Sequence, residues 1–195
     1  MSCILPTCAV SGLMAGLLAG RRWHRERHRR LMNQTITILG TIQTANVYLT
    51  VDSNGAEVVD FLADFDIDGD GSGGNPHHDP CFQPDTTLHH AGQALNAERV
   101  PFVVVPPLVC QRTRGMVLGC LAVVTYRGRR AEAVVGDLGP AKKVGEGSPE
   151  LARRLRIDPN PNHGGTDEFA VHYTIYVDVP AVIDGVTYQL RPLRG

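Results

Sequence analysis

The segment of residues 131–156 constrains the fold most strongly, because it predicts a strand, a turn and a helix in direct succession. Residues 131–135 predict a strand that carries Asp137 at its tip, and two glycines and a proline then turn the chain. Ser148 is a good helix N-cap, and Pro149 suits the first helical position. The segment therefore predicts two rigid elements joined by a short turn.

This segment also places two carboxylates nine positions apart, Asp137 after the strand and Glu146 before the helix. Acid/base cleavage of a glycosidic bond needs such a pair: one group protonates the leaving oxygen, and the other activates water or attacks carbon. The alternative is that Asp137 is a turn residue and Glu146 a solvated one.

Short β-prone runs separated by turn residues occupy most of the remaining chain. They lie at residues 35–39, 46–51, 57–65, 101–109, 117–126, 170–179 and 186–190. Arg127-Gly128 and Asp184-Gly185 are hairpin signals. Many short strands with few helices predict a mainly β, α+β fold with a barrel core.

Three blocks in consistent order, from about residue 64 to residue 165, resemble the chitosanases of glycoside hydrolase family 75. The blocks are Asp64-Phe65-Asp66-Ile67-Asp68-Gly69-Asp70-Gly71 with Gln83-Pro84-Asp85-Thr86-Thr87, then Leu95-Asn96-Ala97 with residues 100–105, then Gly136-Asp137 with Gly145-Glu146-Gly147-Ser148. The resemblance implies that Asp137 and Glu146 are the catalytic pair. It implies an endo-acting hydrolase of β-1,4 linkages in chitosan that works with inversion.

Gly136-Asp137-Leu138-Gly139-Pro140 also resembles the Asp-Arg-Gly-Pro signature of double-psi β-barrels, which include peptidoglycan lytic transglycosylases. This likeness implies a double-psi β-barrel-like core. Leu138 replaces the arginine of that signature, which weakens the prediction of a lytic transglycosylase but not of the barrel. A peptidoglycan-cleaving barrel and a non-catalytic glycan-binding module remain the alternative functions.

The charge distribution favours a cationic partner and disfavours nucleic acid. The overall net charge of −1 conceals a basic N-terminus, and no Lys or Arg lies between Met32 and Glu98. Protonated chitosan is such a partner. The predicted substrate-binding residues are Asp64, Asp66, Asp68, Asp70, Asp85 and Thr86.

Residues 1–31 are predicted to be a leader, a disordered segment or translated sequence before a start at Met32, and residues 32–195 a single catalytic domain. The apolar run precedes the basic run, which is the reverse of a secretory signal, and it is shorter than the ~20 residues that span a bilayer. A marginal membrane anchor is the alternative. We expect no stable membrane span, a monomer, and an enzyme that acts outside the cell although no conventional signal peptide is visible.

We expect neither a cofactor nor a metal ion. Asp66, Asp68 and Asp70 occupy the first, third and fifth positions of a calcium-loop pattern, but its twelfth position is His77 instead of glutamate. A zinc site is a weaker alternative, because the adjacent histidines point apart. It would draw on His77, His78, Asp79, His89 and His90. Cys110 and Cys120 are predicted either to oppose each other in a hairpin or to be buried thiols.

Overall fold

The computed structural model describes residues 36–74, 79 and 81–192. The predicted leader, residues 1–31, lies outside the described residues, as do His77 and His78 of the zinc alternative. The described residues contain no helix that is both long enough and apolar enough to span a membrane.

Twelve strands and two short helices make up the described part of the chain. The strands are β1 (Thr37–Ile42), β2 (Ala45–Val51), β3 (Glu57–Ile67), β4 (His89–His90), β5 (Gln93–Ala94), β6 (Phe102–Val105), β7 (Cys120–Tyr126), β8 (Arg129–Leu138), β9 (Glu146–Gly147), β10 (Thr166–Pro180), β11 (Val182–Ile183) and β12 (Val186–Thr187). The helices are α1 (Pro107–Arg112) and α2 (Pro149–Leu155).

Six strands close into a barrel in the order β3-β10-β7-β8-β6-β9, because β9 also pairs with β3. Strand β3 is long enough to pair with β2 along its first residues and with β9 at its last two, while β10 covers its other edge. The closed barrel confirms the prediction of a mainly β fold with a barrel core.

Large apolar side chains fill the barrel interior. Phe65 and Phe102 are fully buried, and Tyr173 is 1% exposed and stacks on Phe61 with ring centroids 4.8 Å apart. The Tyr173 hydroxyl donates to the backbone carbonyl of Asp64 at 2.9 Å, so the core also fixes the chain just before the acid-rich segment.

Both predicted hairpin turns are present. Arg127 and Gly128 have φ values of 45° and 76°, and Asp184 and Gly185 have values of 50° and 80°. Two successive positive φ values are typical of the type I′ turn, whose twist matches that of the flanking strands. The first turn joins β7 to β8, the strand that carries Asp137.

The prediction of one continuous strand over residues 101–109 was wrong. Strand β6 ends at Val105, and Pro107 begins helix α1, where a proline has the φ that the first helical turn needs and no N–H to leave unpaired. The hairpin prediction for the cysteines was also wrong, because Cys110 lies in α1. Cys110 is a half-buried thiol and Cys120 a buried one, and both are free.

Helix α2 begins as predicted and is linked to the barrel through its N-cap. The Ser148 hydroxyl accepts the N–H of Leu151 at 3.2 Å and that of Phe102 at 3.0 Å, and it donates to the Val100 carbonyl at 2.8 Å. The helix ends at Leu155, and Arg156 caps it in the left-handed conformation. Ser148 therefore holds the end of β9 against the start of β6.

Candidate active site

Strand register places Asp137 and Glu146 on either side of one valine. Val104 of β6 pairs with Asp137 of β8 on one side and with Glu146 of β9 on the other. Glu146 in turn pairs with Asp66 of β3. Directly paired residues project from the same face of a sheet. These four residues therefore form one row across four strands, which we call the carboxylate row.

A β-bulge at Gly136 brings Asp137 into this row. The pairing of β6 with β8 advances by one residue on β6, from Val103 to Val104, and by two on β8, from Val135 to Asp137. Glycine is needed at the bulge, because a Cβ at position 136 would lie 2.7 Å from that of Phe102. Bulges commonly redirect a side chain next to an active site.

Asp137 is 8% exposed, and three donors meet at one of its oxygens. Its Oδ1 accepts the backbone N–H of Leu138 at 2.7 Å and that of Thr87 at 2.9 Å. The hydroxyl of Thr87 donates to the same oxygen. The side chain is therefore fixed in orientation, and none of these donors contacts Oδ2.

Glu146 shares an ammonium group with Asp66. Nζ of Lys143 lies 2.8 Å from Oε1 of Glu146 and 2.8 Å from Oδ2 of Asp66. Burial by itself would lower the pKa of Lys143, but the hydrogen bonds and charge attraction of the two carboxylates outweigh it and raise that pKa. Lys143 therefore stays charged between them.

Asp68 and Asp70 approach Asp137 from the end of β3. One oxygen from each of these three carboxyl groups, which we call the acidic cluster, lies within 4.8 Å of the others. Burial raises the pKa of Asp68 to about 7, with repulsion from Asp70, Asp137 and Glu146 adding to it and the Asp70 N–H opposing it. Burial, followed by repulsion from Asp137, also raises the pKa of Asp70 despite the N–H of Gln83.

The calcium-loop pattern does not form one shared set of ligands, because Asp66 contacts Lys143 while Asp68 and Asp70 meet Asp137. Within the described residues, the acidic cluster is the only group of three ligand-type side chains close enough together to surround a cation. Of the zinc-alternative residues that are described, His89 contacts Asp85 at 2.6 Å.

The other predicted substrate-binding residues lie in different environments. Asp64 packs under Gly145, and its buried Oδ1 has no hydrogen-bond partner among the described residues; burial, followed by repulsion from Asp66, raises its pKa. Asp85 contacts the His89 ring at 2.6 Å. Thr86 is 4% exposed, and its hydroxyl donates to the Leu88 carbonyl and accepts the Leu95 N–H.

Two site residues were missed from the sequence, Thr87 and Lys143. Thr87 directly follows Thr86 in the Asp-Thr-Thr block. The local backbone conformation decides which of the two side chains reaches Asp137. Lys143 had a usable signal: an acid-rich span without Lys or Arg between Met32 and Glu98 must take any cationic partner from elsewhere in the chain.

Residues 65–188 match the model of a family described as fungal chitosanase of glycosyl hydrolase group 75. The chain belongs to glycoside hydrolase family 75. The match contains both Asp137 and Glu146, and it makes the protein a glycoside hydrolase of the chitosanase class. No curated protein matches the chain.

Proposed function

We propose that the protein is an endo-chitosanase that hydrolyses β-1,4 linkages between glucosamine units with inversion. The carboxylate row carries this proposal, because Asp137 and Glu146 flank Val104 on neighbouring strands. Adjacent strands are about 4.8 Å apart, so two spacings separate the two backbones by about 10 Å. Inverting enzymes need carboxyl groups ~6.5–9.5 Å apart, which leaves room for a water molecule.

Glu146 is the general base in this proposal. The Lys143 ammonium lies 2.8 Å from its Oε1, and Glu146 also precedes the N-terminus of helix α2. The base removes a proton from water, whose oxygen attacks the anomeric carbon on the face opposite the leaving group. The bond between that carbon and the glycosidic oxygen then breaks.

Asp137 is the general acid that protonates the departing glycosidic oxygen. It belongs to the acidic cluster with Asp68 and Asp70, whose pKa values are both raised. Carboxyl groups this close cannot all be charged together, so such a cluster retains a proton. The Oδ2 atom of Asp137, which the three donors leave free, is the atom that we expect to face the glycosidic oxygen.

Asp68 and Asp70 are the residues we propose for recognition of the protonated amines of the substrate. Their carboxyl groups lie within the acidic cluster, where burial makes a single contact with an ammonium group strong. Asp66 is already paired with Lys143, Asp85 with His89, and the Thr86 hydroxyl with backbone groups. We therefore leave these three out of the proposed amine-binding set.

The test is turnover of soluble chitosan by Asp137→Asn and Glu146→Gln. General acid or base catalysis contributes about 10²–10⁴-fold, so each variant should lose at least ~100-fold in kcat while its melting temperature stays near that of the wild type. Near-normal activity of either variant would remove that residue from the mechanism.

Azide distinguishes the two roles and sacculi distinguish the substrates. A small anion should restore activity to Glu146→Gln, which lacks the base, and not to Asp137→Asn. Cell-wall sacculi should remain intact under the same conditions. Preferential release of anhydro-muropeptides would favour the peptidoglycan-cleaving alternative, and binding of chitosan without turnover would favour the non-catalytic module.

A further inference from the structure

One ammonium group, that of Lys143, lies within an otherwise acidic site. Its Nζ is 2.8 Å from both Glu146 and Asp66, and its side chain is 30% exposed. Ion pairs that are partly shielded from water are much less screened than surface pairs. The contact between Lys143 and Glu146 is therefore expected to affect catalysis.

The turn that carries Lys143 is built to hold it there. The Lys143 N–H donates to the Pro140 carbonyl at 3.2 Å, and the next side chain, Val144, is 1% exposed. Gly145 follows with a φ of 89°, a conformation that side chains rarely adopt, and leads into Glu146. This anchoring fixes the position of the ammonium relative to Glu146.

Among the described residues, the other titratable groups that pair or interact with Glu146 are acidic or phenolic. Asp66 pairs with Glu146 across β3 and β9. The charge of Glu146 also acts on Asp68 and Asp70 after β3 and on Tyr173 of β10. Without a cation, these carboxylates would repel the Glu146 side chain and displace it from its position.

We propose that Lys143 is a positioning residue that holds Glu146 aligned in the carboxylate row through their ion pair, and that Asp66 holds Lys143 in place. The inference rests on the proposed function, in which Glu146 is the general base. Lys143 does not transfer a proton to the substrate. Its positive charge offsets the repulsion that the neighbouring carboxylates exert on Glu146.

The test is the pH dependence of kcat for a defined glucosamine hexamer in wild type, Lys143→Met and Lys143→Arg. An opposite charge within ~4–6 Å changes a titration midpoint by about 1–3 pH units. In Lys143→Met the acidic limb of the profile should therefore move to higher pH by about 1 unit or more. We expect kcat at the optimum to fall at least tenfold with little change in KM, and Lys143→Arg should restore the limb.

Lys142→Met is the matched control, because Lys142 is the exposed neighbour in the same turn and has no ion pair among the described residues. It should behave as the wild type. An acidic limb that does not move in Lys143→Met would overturn the proposal, since a purely structural lysine would change the melting temperature alone. Higher activity of Lys143→Met at neutral pH would also overturn it, because Glu146 would then be the acid.

Asp66→Asn tests the same contact from the other side and serves if Lys143→Met does not fold. We expect a several-fold loss in kcat with KM unchanged, whereas a tenfold rise in KM at unchanged kcat would show that Asp66 binds substrate instead. The two proposals fail separately. Wild-type protein without activity on the hexamer would overturn the chitosanase mechanism, and active wild type with an unmoved limb in Lys143→Met would overturn only the role of Lys143.

Discussion

The surface of this barrel and its candidate active site balance acidic charge in different ways. On the surface, Glu98, Glu168 and Asp184 each contact an arginine, and most of these side chains are substantially exposed. In the candidate site, the one described cation is Lys143, which contacts Asp66 and Glu146. Asp68, Asp70 and Asp137 form the acidic cluster and have no ion pair among the described residues. These surface carboxylates are therefore paired with arginines, whereas the candidate site has more carboxyl groups than described cations.

The excess of carboxyl groups in the candidate site is accompanied by raised pKa values, which these surface carboxylates do not have. Burial, with repulsion among the carboxyl groups added to it, raises the pKa values of Asp68 and Asp70. On the surface, hydrogen bonds from Tyr126 and then Arg127 lower the pKa of Glu168. A hydrogen bond from Arg154 lowers the pKa of Asp184. Functional sites commonly contain such perturbed groups. We therefore predict that substitutions in the candidate site change activity and its pH dependence, and that substitutions on the surface change neither.

Among substitutions that leave every charge in place, the largest effect should come from Gly139→Ala, which disturbs the carboxylate row. A Cβ at position 139 would lie 2.7 Å from Cγ1 of Val104 and 2.9 Å from Oε2 of Glu146, so the glutamate must move. A displacement of about 1 Å near the reacting groups can cost ~100-fold. We expect kcat on soluble chitosan to fall by about that factor.

Gly40→Ala is the matched glycine-to-alanine control, because a Cβ there would meet only a side-chain atom of Leu108, at 3.2 Å. It should retain nearly full activity. Full activity of Gly139→Ala would show that the side-chain position of Glu146 does not limit turnover.

The second prediction concerns stability as a function of pH. The pKa of Asp68 is about 7 in the folded protein, against an ordinary value of 3.8 for an aspartate in water. A carboxyl group with a raised pKa favours the folded state fully below its unfolded pKa, and this contribution is lost as pH rises through the folded value. Wild-type stability should therefore decline between about pH 4 and pH 7 relative to that of Asp68→Asn.

The measurement is the free energy of unfolding by urea at several pH values. The difference between Asp68→Asn and wild type should increase with pH by up to a few kcal/mol. Asp85→Asn is the control, because Asp85 lies in the same acid-rich span but is exposed. Parallel curves for Asp68→Asn and wild type would contradict the burial and repulsion that we assign to Asp68.

The third prediction is a loss of substrate affinity in Asp70→Asn. A charge-assisted contact with a substrate ammonium contributes ~1.5–3 kcal/mol, so its loss should weaken binding by roughly tenfold to a hundredfold. Titration calorimetry with a glucosamine oligomer on the inactive Asp137→Asn background measures this without turnover. Added salt should weaken binding to the parent more than to the Asp70→Asn variant. Equal affinity of the two proteins would exclude Asp70 from amine recognition.

The strand, turn and helix around the catalytic pair could be predicted from local sequence because each signal is local. Ser148 and Pro149 mark the start of helix α2, and the Gly-rich turn follows the strand that carries Asp137. The proposed catalytic pair was itself predicted from its spacing and from the family resemblance. Its pairing on either side of Val104 depends on strand register, which neighbouring residues do not determine.

Long-range contacts account for the rest of what the sequence did not reveal. The contact between Thr87 and Asp137 joins residues 50 positions apart, and the ion pair of Lys143 with Asp66 depends on β9 pairing with β3. The strand predicted over residues 101–109 was wrong for a local reason, because Pro107 is a helix start signal within the apolar run. The pattern of apolar residues alone cannot distinguish a buried strand from a short buried helix.

The smallest effect should come from the surface, in Glu98→Gln. Glu98 contacts Arg153, but the two side chains are 46% and 42% exposed, and Arg153 also contacts Glu150 at 3.4 Å. Exposed ion pairs contribute little because water screens them and long side chains lose entropy when they pair. We expect the melting temperature to change by less than about 2 °C, with kcat, KM and the pH profile unchanged. A shift of the pH profile would show that surface charge influences titration in the candidate site, and the contrast between the two regions would then not hold.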